Sequence, residues 1–130
     1  MNAFQKMLPL AGRILFASIF IAAAPRHFTH EGIAHAAELG IPLANLLVPA
    51  SGLLAIAGAL SVATGFHAKY GAVALILFLV PVTLGMHQFW HSHDAAQRHI
   101  QFAMFAKNIS MLGAAMCLAY SGAGPITRRG

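Results

Sequence analysis

Four long apolar runs constrain this chain more than any other feature. A run of about 17–25 apolar residues is long enough to cross the hydrocarbon core of a bilayer as a helix. The four runs contain no Asp or Glu and cover residues 8–24, 43–65, 70–86 and 102–120. Backbone polar groups in lipid must be satisfied within the spanning segment, so each run is predicted to be a helix. The sequence therefore predicts an all-α fold, an integral-membrane antiparallel four-helix bundle forming one domain over residues 1–130.

Composition excludes most soluble alternatives. Of the 130 residues, 58% are hydrophobic and 8% are charged, whereas about a quarter are charged in an ordinary soluble domain. The net charge of +5 comes from basic residues scattered singly between apolar runs, so no basic face for nucleic acid is predicted. Cys117 is the single cysteine, which excludes an internal disulfide or a Cys-x-x-Cys pair.

Two of the predicted spans carry small residues at four-residue intervals. Such a stripe lets a neighbouring helix approach closely, and helix contact is the expected role. The stripes are Ser51, Ala55, Ala59 and Ala63 in the second span, and Ala106, Ser110 and Ala114 in the fourth. Pro81 is expected to kink the third span, because its ring removes one backbone hydrogen bond.

The first run also resembles a secretory signal, since Lys6 precedes it and residues 22–24 are small. Pro25 would follow the cleavage site and Arg13 interrupts the apolar stretch, so a retained span is preferred. The segment 25–42 is too polar to cross the bilayer, and its apolar spacing predicts a short interfacial helix in the first loop.

The distribution of Lys and Arg predicts the orientation of the bundle. Lys6, Lys69, Arg128 and Arg129 fall on one side, and Arg26 and Arg98 fall on the other. The positive-inside rule places the first side, with both termini, in the cytoplasm. Seven of the eight histidines then lie on the outer side.

Polar residues converge at the outer edge of the last two spans. Arg13 and Lys107 are cationic residues within spans that offer no acid to neutralise them, so each either snorkels to the headgroups or binds another partner. A candidate pocket combines His87, Trp90, Lys107 and Asn108, with additions from the first loop, Arg26 or His27. It would favour an anionic or carbonyl-rich ligand, and both a quinone ring and a lipid headgroup fit.

A metal site is the weaker interpretation of the same residues. His87 and His91 would share a helix face if the third helix continued through Trp90, but two ligands do not make a site and no compact ligand motif is present. No metal is therefore predicted. Trp90 is more commonly an aromatic anchor at the membrane surface, and no nucleophile or phosphate-binding motif supports catalysis by the chain.

Taken together, these residues resemble the DoxX family of small four-span bacterial membrane proteins. The resemblance rests on short motifs in a fixed order: Gly12-Arg13-Ile14-Leu15, Pro25-Arg26-His27-Phe28, Leu39-Gly40-Ile41-Pro42, Gly58 and Gly65, His87-Gln88-Phe89-Trp90, Lys107-Asn108 and Gly113. It implies a four-helix bundle in the inner membrane and a link to membrane oxidoreduction. It also implies functional roles for Arg13, His87, Trp90, Lys107 and Asn108.

These observations predict that the protein is a small inner-membrane subunit that supports quinone-linked oxidoreduction. The chain carries no cofactor motif of its own, so it is expected to hold a quinone or to dock a redox partner protein. The alternatives are a lipid or small-molecule binding or transport protein using the same pocket, and a structural bundle without catalysis. The sequence leaves open whether the chain is itself an enzyme and whether it assembles with copies of itself.

Overall fold

The computed structural model describes residues 1–126, and within them it contains five α-helices and two short 3₁₀ segments. The α-helices are α1 (Ala3–Ala23), α2 (His30–Glu38), α3 (Ala44–Thr64), α4 (Ala68–Met86) and α5 (Ala95–Ser121). The 3₁₀ segments are Ala24–Phe28 and Phe89–His91. The described residues contain no strand, so the predicted all-α fold is confirmed.

Four helices are long and apolar enough to cross a membrane, as the sequence predicts: α1, α3, α4 and α5. Helices α1 and α5 begin before the predicted apolar runs, because polar residues extend each of them at the N-terminus. Helix α4 continues through Pro81 to Met86. Arg128 and Arg129, which contribute to the predicted orientation, lie outside the described residues.

The spanning helices pack side by side in the order α1, α3, α4, α5, with neighbours antiparallel. Within residues 1–126, α1 and α5 share no comparable interface. One end of the bundle carries the loops 24–43 and 87–94 with most of the histidines, and we call it the histidine-rich end. The opposite end carries the α3–α4 turn and residues 122–126, and we call it the terminal end.

Helices α3 and α4 cross where both lack side chains. A Cβ atom built on Gly58 would lie 3.0 Å from the carbonyl oxygen of Gly71, and one built on Gly71 would lie 3.0 Å from that of Gly58. The small-residue stripe of α3 belongs to this packing, since Ala55 and Ala59 are buried. Close backbone approach of this kind supplies van der Waals contact that lipid cannot match.

The first loop is folded rather than extended. After the 3₁₀ segment, Thr29 caps α2 by accepting a hydrogen bond from the Gly32 amide at 3.0 Å. Helix α2 ends before Gly40, whose φ of +91° reverses the chain, and Leu43 in a left-handed conformation precedes α3. The predicted loop helix is thus present, and its position at the membrane surface remains a prediction from its composition.

We expect Gly71→Ala to lower the stability of the protein by about 1–3 kcal/mol, because its methyl group would be forced against Gly58 and Ser61 across the helix crossing. Gly113→Ala in α5 is the matched control, since a Cβ atom there would meet nothing within 4 Å. Thermal unfolding in detergent measures the difference. Equal melting temperatures for the two variants would contradict the role given to this crossing.

Candidate functional site

A cavity of about 510 Å³ lies at the histidine-rich end, between the first loop, α3 and α4. Its walls are mostly apolar, with Ala36 from α2, Leu54 from α3 and Val82 from α4 among them. Its polar side chains are those of Arg26, His27 and Ser51. A concave, largely apolar volume with a few polar groups is the usual form of a small-molecule site.

Two glycines allow the first loop to form this cavity. A Cβ atom on Gly52 of α3 would lie 2.7 Å from the His27 Cβ atom and 3.0 Å from the Phe28 ring. A Cβ atom on Gly32 of α2 would collide with the Arg26 carbonyl oxygen. The 3₁₀ segment therefore lies directly on the α3 backbone, and α2 packs directly on the 3₁₀ segment.

His27 is fixed in place by α3 and α4. Its Nδ1 atom lies 3.2 Å from the Ser51 hydroxyl, and its ring packs against the Phe78 ring with centroids 5.5 Å apart. The Ser51 hydroxyl also lies 2.7 Å from the Val48 carbonyl oxygen. The cavity lining contains no carboxylate, so Arg26 gives the site a positive charge with no opposing one.

The pocket predicted from the sequence and the observed cavity share only some of their residues. Of the predicted residues, Arg26 and His27 line the cavity, whereas His87, Trp90, Lys107 and Asn108 do not. His87 Nδ1 lies 3.0 Å from the Gln101 side-chain oxygen, which places it at the α4–α5 contact. Asn108 is one of two buried residues of α5. The cavity thus lies on the other side of α4 from these residues.

Trp90 and Lys107 are both exposed. Trp90 belongs to the turn Phe89–His91. Its ring packs edge-on against the Phe105 ring of α5, with ring centroids 5.8 Å apart. The Lys107 Nζ atom lies 3.7 Å from the Met104 sulfur. Neither contact converges with Arg26, because the first loop packs on α3 rather than on α5.

Helix α4 ends at Met86, so the condition for a shared histidine face fails. His87 has φ −123° and ψ 57°, which leaves the helical conformation, and His91 closes a separate 3₁₀ turn. Among residues 1–126, no group of three or more His, Cys, Asp or Glu is placed to hold a metal ion.

Arg13 lies at the terminal end of the bundle. The cavity and the predicted pocket residues of α4 and α5 lie toward the histidine-rich end. Arg13 is 2% exposed, and its guanidinium donates to the carbonyl oxygens of Val62 at 3.1 Å and Ala63 at 3.3 Å. It also donates to the carbonyl oxygen of Ile126. Of the two alternatives left open for Arg13, snorkelling to the headgroups or binding another partner, these contacts favour the second. The last carbonyls of a helix lack intrahelical partners and carry partial negative charge, so α3 itself supplies the partner for the cation.

We expect Arg13→Met to lower stability by about 2–3 kcal/mol, because it leaves buried carbonyl oxygens of the last turn of α3 without a donor. Ligand binding at the other end of the bundle should not change. Thermal unfolding and a ligand-binding assay on the same preparation separate the two effects. A stable variant that has lost its ligand would return Arg13 to the site, as the resemblance implies.

Comparison with known sequences identifies the family of the chain. The sequence model of the DoxX family matches residues 8–88, which is more than half of the chain. The chain belongs to the DoxX family. The match includes every residue that lines the cavity, whereas Trp90, Lys107 and Asn108 lie beyond it.

This DoxX-family chain is also similar to the inner membrane protein YphA of Escherichia coli K12. The two are 28% identical over 129 residues, which cover 97% of this chain and 91% of YphA. No solved structure matches the chain. Family membership and the four apolar helices together make it a multi-pass inner-membrane protein.

The residues that sequence reasoning missed are mainly Gly32, Gly52 and Ser51. The four-residue spacing places Ser51 in the small-residue stripe of α3, and its hydroxyl is the only feature that sets it apart from the alanines. The two glycines matter because another backbone lies against them, and nothing in the local sequence predicts that approach.

Proposed function

We propose that this protein is a membrane subunit that supports quinone-linked oxidoreduction by holding a quinone in the cavity at the histidine-rich end. The observation that carries this proposal is the cavity itself, with about 510 Å³ enclosed by apolar walls and three polar side chains. Ligand sites typically measure about 300–1,000 Å³. This cavity falls within that range and has room for a quinone ring and the start of its tail.

The shape of the opening supports a ligand with a lipid tail. Besides Arg26, three lining residues are exposed, Leu47 and Ala50 on α3 and Pro81 on α4. All three belong to helices that can span the membrane, so the cavity opens between α3 and α4 toward the bilayer. A hydrophobic tail can extend through this opening while the ring remains inside.

The polar groups support a ligand that carries oxygen atoms. Quinone carbonyls accept hydrogen bonds, and the Arg26 guanidinium is a donor with no acceptor capacity. No side chain in the lining is acidic, so Arg26 is available to the ligand. The protein thereby binds and orients the quinone, and a partner protein supplies the electrons, since the chain itself has no paired cysteines or haem motif.

We expect Arg26→Gln and Ala50→Trp to abolish or strongly reduce quinone retention, the first by removing the charged donor and the second by filling the cavity mouth. Lys107→Gln and Ala57→Trp are the matched controls, because both positions are exposed and outside the lining. Native mass spectrometry of gently extracted protein, loaded with a short-tailed ubiquinone, measures occupancy.

Retention in both control variants and loss in both cavity variants is the expected pattern. Loss of quinone in Lys107→Gln, with Arg26→Gln unaffected, would instead support the pocket predicted from the sequence. Full occupancy in all four variants would refute a specific quinone site in this protein.

The exposed position of Lys107 also favours a docked partner on α5. Lys107 lies five residues inside the predicted fourth span (102–120), on an exposed surface of α5. A lipid-facing ammonium at that depth is costly unless it is paired or reaches the headgroups. We infer that the redox partner contributes a helix with an Asp or Glu at the matching depth. A second copy of this chain cannot supply that acid, because none of its predicted spans contains one.

The surface beside Lys107 fits a second helix. At about 100° per residue, six small exposed residues share the side of α5 opposite Asn108 and Ala115. They are Ala103, Ala106, Ser110, Gly113, Ala114 and Cys117. Bulky residues such as Ile109 and Met116 are exposed elsewhere on α5, so the small residues form a strip of their own. Small residues permit close helix approach in lipid.

A photo-crosslinking amino acid at Ala106 should capture one membrane protein with an acidic residue in a span, and capture should fall several-fold when Lys107→Gln is added. The same amino acid at Leu53, on the exposed side of α3, is the control. A captured second copy of this chain, or equal capture at Leu53, would contradict the proposed partner.

A further inference from the structure

The Ser51 hydroxyl has one proton and two close neighbours inside the cavity. Its oxygen lies 2.7 Å from the Val48 carbonyl oxygen and 3.2 Å from the His27 Nδ1 atom. Two oxygen atoms at 2.7 Å need a proton between them, and a carbonyl has none to give. The Ser51 proton therefore lies toward Val48, and Ser51 accepts the hydrogen bond from His27.

This arrangement fixes the tautomer of His27. If Ser51 accepts, the Nδ1 atom must carry the imidazole proton, and in the neutral ring the Nε2 atom is then an acceptor. Among the described residues, the hydrogen bonds of the His27 ring go to Ser51 and to the Val48 backbone carbonyl that Ser51 also contacts. Nε2 is not among the fully buried unpaired atoms. His27 lines the cavity, so it offers the ligand an unpaired acceptor.

From this geometry we propose that the cavity selects a ligand bearing a hydroxyl group, whose proton is donated to His27 Nε2. The inference rests on the proposed function and makes it more specific, because the hydroxyl-bearing form of a quinone is the reduced quinol. A quinone has only acceptor oxygens, so it can bind Arg26 but leaves His27 Nε2 unpaired. A quinol satisfies both side chains, as it donates to His27 and accepts from Arg26.

The other polar side chains of the cavity support this assignment. Ser51 cannot donate to the ligand, because its proton is committed to Val48. Arg26 only donates, and no carboxylate or amide side chain lines the cavity. His27 is thus the only side chain in the lining with a free acceptor nitrogen, and it determines whether a ligand hydroxyl is recognised.

A matched pair of probes tests hydroxyl recognition without redox chemistry. The probes are 4-decylphenol and its methyl ether, which differ in a single donor proton. Binding to the purified protein in nanodiscs is measured for the wild type and for His27→Asn, whose amide nitrogen can replace the Nδ1 donor while the Nε2 acceptor is lost. A short-tailed quinone is measured alongside.

We expect the wild type to bind the phenol about three- to tenfold more tightly than the ether, the range expected for one hydrogen bond. In His27→Asn the two probes should bind equally, because the acceptor that distinguishes them is lost. Equal binding of phenol and ether by the wild type, with quinone still bound, would overturn this inference and leave the proposed function intact. Binding of none of the three would overturn both.

Nitrogen NMR of ¹⁵N-histidine-labelled wild type provides a test that does not depend on the folding of the variant. The expected result is a protonated Nδ1 and an unprotonated Nε2 in His27, with the Nε2 resonance shifting when the phenol is added. A protonated Nε2 with an unprotonated Nδ1 would overturn the assignment.

Discussion

Close packing against α3 holds this protein together. In lipid there is no hydrophobic driving force between apolar helices, so their association depends on van der Waals contact and polar interactions. Helix α3 contacts α1, α4, α2 and the 3₁₀ segment. It does so through small residues, with Gly58 facing α4 and Gly52 facing the first loop. Arg13 of α1 adds a polar interaction at the C-terminus of α3.

The cavity is a consequence of the same packing. Gly52 brings His27 down onto α3, and the neighbouring Ser51 then lies within hydrogen-bonding distance of the imidazole. Helix α2 covers the first loop from above at Gly32. The space left between these elements and α4 reaches the exposed residues of α3 and α4. One set of small residues therefore provides both stability and a binding volume.

The sequence predicts the fold well because membrane spanning is encoded in hydropathy and length. All four spanning helices and the buried stripe of α3 could be identified in this way, and Arg26 and His27 were among the predicted pocket residues. The position of the pocket could not be predicted from the sequence, since it depends on how the first loop packs. Counting polar residues near one membrane edge favoured Lys107 and Trp90, which the fold leaves exposed. The family resemblance also implies a functional role for Arg13, although the packing of α1 brings it to the C-terminus of α3.

The most direct test of the account is photoaffinity labelling with a quinone that carries a diazirine on its ring, followed by peptide mapping. The account predicts labels concentrated in residues 26–36, 47–54 and 81–86, the segments from which the cavity is built, and competition by unlabelled quinone. Competed labelling concentrated in residues 101–108 of α5 would contradict it and place the ligand at the edge where the sequence alone predicts it.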